Sequence, residues 1–568
     1  MKRSILAIIV AVIYMPIFSN AQIFEIIKDK AIGTVGHEFF PSLIAINDHE
    51  LIMACRTDCD IDGDKTDPIC DDITQPIRSD IWLVKMDTAL NIIWDKSIGG
   101  AYTESESKLT FDSISGHIFI ASTSISDSSC DKSSNSFGNI SDFWVVELDT
   151  AGNILSDHRY GGLDEEAWPT LVFLPNRKRF ICGYSKSSIG GDKTSANHSI
   201  QSDFWVIKTD SIGQMIWDKS YGGTGVENGL SGDHLNSPNT IHYDPYNKGF
   251  TIIGMTNSPQ NGDISFPPIP TFQNSPNLWL AKFDSSGNKI WDKRYLGLMD
   301  SYITSLPLDS GKFLIATHGI SGFDMTDSNK IAGKPNIWIV KIDSTGNKIW
   351  DRFYGGSGGI VNGIGGTDRW PSQIEKSIDG GYLIAATTNN DIGYDISEPT
   401  YGGLDYWLFN IDENGNKLWD KRFGGSKNDV CAGFLQMPDS SIYIYGYSDA
   451  GGVTSMKTDS GHFYQDIWIV HFKYHDTTTV TSVNSNFEFE QGIKLFPNPA
   501  NNFCTVQSSK ERINSVLVYN TVGELIDEIR SPSATSIQIP LASYAPGLYF
   551  ATIKSANYKV TKKMVVSK

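Results

Sequence analysis

Short runs of alternating apolar and polar residues fill most of the chain, and one run recurs. It reads Asp80-Ile-Trp82-Leu-Val-Lys-Met-Asp87 and returns at Asp142-Phe-Trp144, Asp203-Phe-Trp205, Asn277-Leu-Trp279, Asn336-Ile-Trp338 and Asp405-Tyr-Trp407, with a seventh copy opening at Asp466-Ile-Trp468. A period of two predicts half-buried strands. Five of the first six copies continue as in Asp343-Ser-Thr-Gly346-Asn347-Lys-Ile-Trp350-Asp351, and the second has Ser156 where the others carry the second tryptophan. The glycine supplies the positive φ of a tight hairpin, and the second tryptophan returns on the partner strand. After a Gly-Gly pair come a loop, another apolar strand, a turn such as Asp379-Gly380-Gly381, and a strand from Tyr382 to Thr387. Four strands per copy, with copies about 60 to 74 residues apart, match one propeller blade with a long loop.

The two ends are complementary defects. Ile26 to Gly33 repeats the pattern of Ile92 to Gly99 with no first-tryptophan strand before it, while Asp466 to Phe472 has that strand and lacks its partner. Pairing them predicts a closed ring of seven blades without exposed sheet edges; the alternative is an open solenoid. The expected fold is all-β, a seven-bladed β-propeller over residues 22–473 with strand 26–33 completing the last blade. A linker follows at 474–491 and a small sandwich at 492–568.

Composition agrees, with 52 glycines, 14 tryptophans and 23 tyrosines in 568 residues. The net charge of -18 argues against nucleic acid or an anionic membrane as partner. Lys2 and Arg3, the apolar run Ile5 to Ile17 and Ser19-Asn20-Ala21 read as a secretory signal cut between Ala21 and Gln22. That run is too short and too interrupted, at Pro16, for the roughly 20 residues of a membrane span, so no membrane segment is expected after cleavage. Seven cysteines leave at least one unpaired; a Cys59–Cys70 bridge is expected, with Cys182 and Cys431 packed in strands.

Beyond the threonine-rich linker, the chain carries Phe496-Pro497-Asn498-Pro499, Val518-Tyr-Asn-Thr-Val-Gly523, Pro546-Gly547-Leu-Tyr549 and a basic-then-apolar ending from Lys562 and Lys563 to Lys568. In combination these resemble the type A C-terminal sorting domain of the bacterial type IX (Por) secretion system. The resemblance implies an immunoglobulin-like sandwich that engages the secretion machinery and directs the chain through the outer membrane, for release or attachment at the surface; an ordinary terminal sandwich is the alternative. The repeats are similar to the Trp-x-x-Lys-x-Asp-x-x-Gly-Asn propellers found upstream of such tails.

In a closed ring, the long loops and the loops after each Gly-Gly share the face where ligands meet propellers. Candidates there are Glu104, Glu106, Asp164, Glu165, Glu166, Trp168, Glu227, Asp300, Tyr302, Asp368, Trp370 and Asp429. Rings stack on sugars while carboxylates take hydroxyls or cations; equally, such acids cap turns. Asp58, Asp60, Asp62 and Asp64, with Gly63, resemble the start of a calcium loop, but Ile69 stands where a bidentate glutamate belongs. Asp-x-Ser/Thr elsewhere, as in Asp192-Lys-Thr194, is explained by a side-chain-to-backbone turn. The hairpin is similar to the tryptophan-docking repeat of quinoprotein dehydrogenases and to the sialidase aspartate box, yet the chain has no Cys-Cys pair, and the box spacings are each one residue too long. The expected function is recognition of a surface glycan, polysaccharide or protein. A secreted, endoglucanase-like glycoside hydrolase using loop carboxylates is the alternative.

Overall fold

Each tryptophan phrase forms the third strand of a four-stranded antiparallel sheet. The computed structural model describes residues 23–70, 78–138, 140–227, 240–267, 277–295, 298–320, 324–327, 336–356, 360–361, 364–365, 368–378, 380–449, 451–454, 456–462, 464–475, 492–509, 512–520, 525–555 and 559–567. The proposed signal, its cleavage point Ala21/Gln22, Gly523 and linker residues 476–491 fall outside these.

The chain divides into Glu25–Lys473 and a unit containing Tyr474–Lys568. In the first, sheet 1 consists of Glu38–Asn47, Glu50–Thr57, Asp80–Asp87 and Ile92–Ile98. Sheets 2 to 6 begin with Glu104–Asp112, Glu166–Phe173, Thr240–Tyr243, Leu298–Leu308 and Asp368–Lys376, and end with Ile154–Tyr160, Met215–Tyr221, Lys289–Tyr295, Lys348–Tyr354 and Lys417–Phe423. Sheet 7 combines Asp429–Gln436, Ser441–Asp449 and Gln465–His475 with Ile23–Ile32 from the other end of the chain. The first strand of each sheet neighbours that of the next, and sheet 7 neighbours sheet 1, so the arrangement is propeller-like.

Apolar faces of consecutive sheets interlock. Trp144 and Ile118 of sheet 2 pack with Ile81 and Leu83 of sheet 1, and Ile467 and Ile469 of sheet 7 pack with Trp82 and Val84. The first tryptophans, Trp82 to Trp468, are fully buried, each contributing roughly 4–6 kcal/mol of apolar burial. Every indole N–H is satisfied by an aspartate on the fourth strand, from Trp82 with Asp95 at 3.0 Å to Trp407 with Asp420 at 3.2 Å; Trp468 reaches Asp29 at 3.1 Å. The same carboxylates accept the backbone N–H of the Asp-x-Ser/Thr turns, as Asp95 does from Thr66 at 2.8 Å and Asp29 from Thr458 at 2.8 Å. One residue type therefore ties the long loop, the core indole and the outer strand together.

The hairpin follows equally local rules. Asp343 accepts the Asn347 N–H at 2.9 Å, Gly346 takes φ +78°, and a Cβ on Gly346 would press on Trp291 of the preceding sheet. Sheet 1 places Leu90 at that position, with φ +61°, where its buried side chain joins the core and offsets the backbone strain.

The expected Cys59–Cys70 bridge is corrected: Cys70 is bonded to Cys130, Cα atoms 6.3 Å apart, and Cys59 is free. Adjacent sheets bring two long loops together, a proximity that sequence distance hides. Cys182 and Cys431 are buried.

In the C-terminal unit, Ile493–Phe496, Phe503–Ser508 and Ser536–Pro540 form one sheet. Leu525–Ala534, Ile513–Tyr519, Gly547–Lys554 and Lys559–Val566 form a second. Val506, Ile539, Val518, Ala551 and Met564 contribute to their common core.

Candidate functional site

The acids expected on the ligand face split into two groups. Glu104, Glu166, Glu227 and Asp429 do not face solvent; all are buried, as is Glu38 at the equivalent position of sheet 1. Each closes a loop onto its own sheet. Glu104 accepts the Gly100 N–H at 3.0 Å and the Ser124 hydroxyl at 2.7 Å; Glu166 accepts Gly162 at 2.7 Å and Ser185 at 2.6 Å; Glu227 accepts Thr256 at 2.7 Å and Ser258 at 2.5 Å. Asp429 takes Gly425 at 2.6 Å and the Ser448 hydroxyl. The double glycine is required because a Cβ at Gly161 would overlap the Asp142 carboxylate and one at Gly162 the Ser187 side chain. These four candidates are internal braces, and a charged residue in a loop-like stretch gave no sign of its burial.

Burial drives their protonation. It pushes Glu38 up to about 7, Glu227 to about 8 and Asp429 to about 6, and raises Glu104 and Glu166 as well, against hydrogen bonds that pull the other way. A second buried acid opens several third strands, and Asp142 and Asp405 both rise to about 7, again through burial.

A compensating pattern runs round the sheets. Where the long-loop turn carries a buried lysine, Lys65, Lys132, Lys193 or Lys457, the third strand opens with Asp80, Asp142, Asp203 or Asp466. Where the turn carries Ile264 or Met325, that acid is Asn277 or Asn336. Sheet 6 has Ile396 with Asp405, and there Arg422 Nε lies 3.5 Å from Asp405. In sheets 4 to 6 a lysine moves to the outer strand instead, where Lys289, Lys348 and Lys417 pair with the indole-binding aspartates at 3.0, 3.1 and 2.5 Å.

A pH dependence follows. Between 4.5, the ordinary value, and about 8, folded Glu227 holds a proton that the unfolded chain releases. Its contribution is present below the unfolded value and is lost as pH rises through the folded one. The melting temperature is expected to fall between about pH 5.5 and about pH 8.5, and Glu227→Gln should flatten that slope. An identical slope in the variant would show that other groups set it.

Of the remaining candidates, Glu106, Asp164, Glu165, Trp168 and Trp370 are more open. Glu106 is half-buried with φ +48° and takes the Ser105 hydroxyl at 2.8 Å; Asp164 is exposed. Trp168, φ +57°, is half-buried and edge-on to Tyr184, centroids 5.4 Å apart. Glu165 joins this group through the Tyr184 hydroxyl and Lys186 at 2.5 Å; burial raises its carboxyl, but these two hydrogen bonds outweigh that and hold it low. Tyr302 is buried against the half-buried Trp370, centroids 4.9 Å apart. Asp300 and Asp368 lie in strands, with side chains outside the described residues. Asp58 accepts the His37 N–H at 3.0 Å and Asp64 that of Gly33 at 3.2 Å, while Asp62 and Lys65 bridge across Gly63. Among the described residues no three His, Cys, Asp or Glu side chains converge as metal ligands, so Asp60 and Asp62 join no such cluster.

Sequence reasoning missed the axis. The first strands of all seven sheets line an open cavity of about 510 Å3 whose lining includes Ser107, Lys108, His242, Ser305, Gln373 and Glu375. Lys108 breaks the pattern of neutral residues, Ser42, Thr170, Thr304 and Gln373, on equivalent first strands, which was the available signal.

In the C-terminal unit, the Asn498 side chain bonds the Lys563 carbonyl and the Val565 N–H, both at 2.8 Å, fastening the Pro497-Asn498-Pro499 segment to the final strand. Tyr549 is buried and donates to the Ala545 carbonyl at 3.1 Å; Gly547 opens its strand, Lys563 is exposed and Lys562 half-buried.

Residues 494–567 match the secretion system C-terminal sorting domain family. The match marks the chain for export to the cell surface or release, and among the described residues no helix is long and apolar enough to cross a membrane. No curated protein matches. Among solved structures, a protein of unknown function from Dyadobacter fermentans is 11% identical, over 80% of this chain and 99% of that one, with a TM-score of 0.39. The NanB sialidase of Streptococcus pneumoniae is 10% identical over 80% and 71%, TM-score 0.32. A thermostable family-43 glycoside hydrolase is 11% identical over 56% and 94%, TM-score 0.27.

Proposed function

We propose that the chain is a seven-bladed β-propeller exported by the type IX system on an immunoglobulin-like sorting sandwich, and that the propeller recognises a surface glycan, polysaccharide or protein. The observation that carries this reading is the internal commitment of Glu104, Glu166, Glu227 and Asp429. Glycoside hydrolysis needs two carboxyl groups roughly 5 to 9.5 Å apart and free to exchange protons with substrate; these four are consumed in bracing loops. The open group around Trp168, Tyr184, Glu165 and Lys186 supplies what binding needs, an aromatic face beside polar groups. The purified propeller should be retained on a subset of a glycan array while releasing no sugar from the same glycans. Trp168→Ala should weaken retention about tenfold, the loss of one stacking contact of roughly 1.4 kcal/mol. Product release would favour the hydrolase, and unchanged retention would remove Trp168 as a contact.

A further inference from the structure

A lysine and a glutamate line the axial cavity without counter-ions among the described residues. Lys108, on sheet 2, is exposed to solvent and forms no hydrogen bond or ion pair with any described residue, and it lines the space between the seven first strands. The surrounding protein lowers its affinity for a proton. Beside it, the Ser107 hydroxyl is buried and has no hydrogen-bond partner among the described residues.

Glu375 belongs to sheet 6, three sheets from Lys108 around the ring. Its two oxygens take amide N–H groups from Gln373 at 2.7 Å and Gln436 at 3.2 Å, so each keeps a free lone pair. No cation pairs with it among the described residues, and burial raises its carboxyl. Between the two, His242 contacts the Ser305 hydroxyl at 2.8 Å, and burial lowers it to about 4, so at neutral pH it is an uncharged hydrogen-bonding group.

Lys108 is solvent-exposed and Glu375 half-buried, so water already solvates both, and a partner of opposite sign adds a charge-assisted contact stronger than the one water supplies. A neutral sugar would dehydrate both groups and neutralise neither. A simple anion would serve Lys108 and be repelled by Glu375; a simple cation would do the reverse. A volume of about 510 Å3 lies within the roughly 300–1,000 Å3 of small-molecule sites.

We propose that the axial cavity binds a small zwitterion of the α-amino-acid class, its carboxylate against Lys108 and Ser107 and its ammonium against Glu375. This goes beyond loop-face recognition and does not depend on it.

Titration calorimetry on the full chain tests it, with alanine and glutamine as zwitterions, acetate and ethylamine as half-ligands, and galacturonate as a carboxylate lacking the ammonium. The amino acids should bind and the other three should bind at least about tenfold more weakly, the loss of one charge contact. Lys108→Met and Glu375→Gln should each weaken amino-acid binding about tenfold or more, whereas Trp168→Ala should leave it unchanged. Because Lys108 has no partner among the described residues, Lys108→Met should melt no lower than the parent, which separates lost binding from lost folding. Absence of amino-acid binding, galacturonate binding of equal strength, or indifference to either axial substitution would overturn the proposal, with array retention unaffected in each case.

Discussion

Replacing Lys132 by methionine should destabilise the chain by about 3–5 kcal/mol, the usual cost of stranding buried charge, and adding Asp142→Asn should recover a large part of that loss. Lys132 is 2% exposed and donates to the Ser136 hydroxyl at 2.9 Å and to the Ser126 carbonyl. Its charge stands against Glu104 and Asp142, both buried. Burial lowers the lysine's own affinity for a proton, and Glu104, Asp142 and Asp127 hold it up. Removing the cation alone leaves Glu104 with its hydrogen bonds from Gly100 and Ser124 and Asp142 with the Phe137 N–H and the charge of Arg159, and both must ionise with less support or stay protonated. Removing one acid as well reproduces the solution in sheet 4, where Ile264 accompanies Asn277. Urea unfolding of the single and double variants measures the coupling. If the second substitution adds to the damage instead of relieving it, the charge-balance account is wrong.

The second large effect concerns the seam. A chain lacking Ile23–Ile32 should lose cooperative unfolding and associate, because the strand Gln465–His475 is left with an unpaired edge and Trp468 without its acceptor. Asp29→Ala is the milder form, removing one carboxylate that serves Trp468 at 3.1 Å, the Thr458 N–H at 2.8 Å and the Asp459 N–H at 3.2 Å. At about 1.5 kcal/mol for each of the three hydrogen bonds, the low end for a charged acceptor, a loss of about 4–5 kcal/mol is expected. A synthetic peptide spanning residues 22–33 should restore monomeric behaviour to the truncated chain. A truncated chain that melts like the parent would mean the seam contributes little.

What the sequence discloses and what it withholds divide along a physical line. The Trp-to-Asp hairpin was legible because its determinants are local: an indole thirteen residues from its acceptor, a glycine that needs positive φ, and an asparagine bonded across the turn. The incomplete repeats at the two ends could likewise be read as halves of one sheet. Burial was not legible for Glu104, Glu166, Glu227 and Asp429, since a carboxylate reads the same whether it meets water or Gly N–H groups. The Cys70–Cys130 link and the Lys108–Glu375 cavity depend on which sheets stand side by side. The alternation of lysine with isoleucine or methionine at the long-loop turn was present in the letters, but its meaning appears only once Asp142 and Asn277 are seen at matching positions.

That alternation also has an order in space. Along the chain the lysine-bearing units are the first three and the last, separated by three of the other kind; once Ile23–Ile32 joins Gln465–His475, they become one uninterrupted arc of four facing an arc of three. Compensation by lysine is therefore continuous across the junction of the two chain ends, where Lys457 and Lys65 belong to neighbouring sheets.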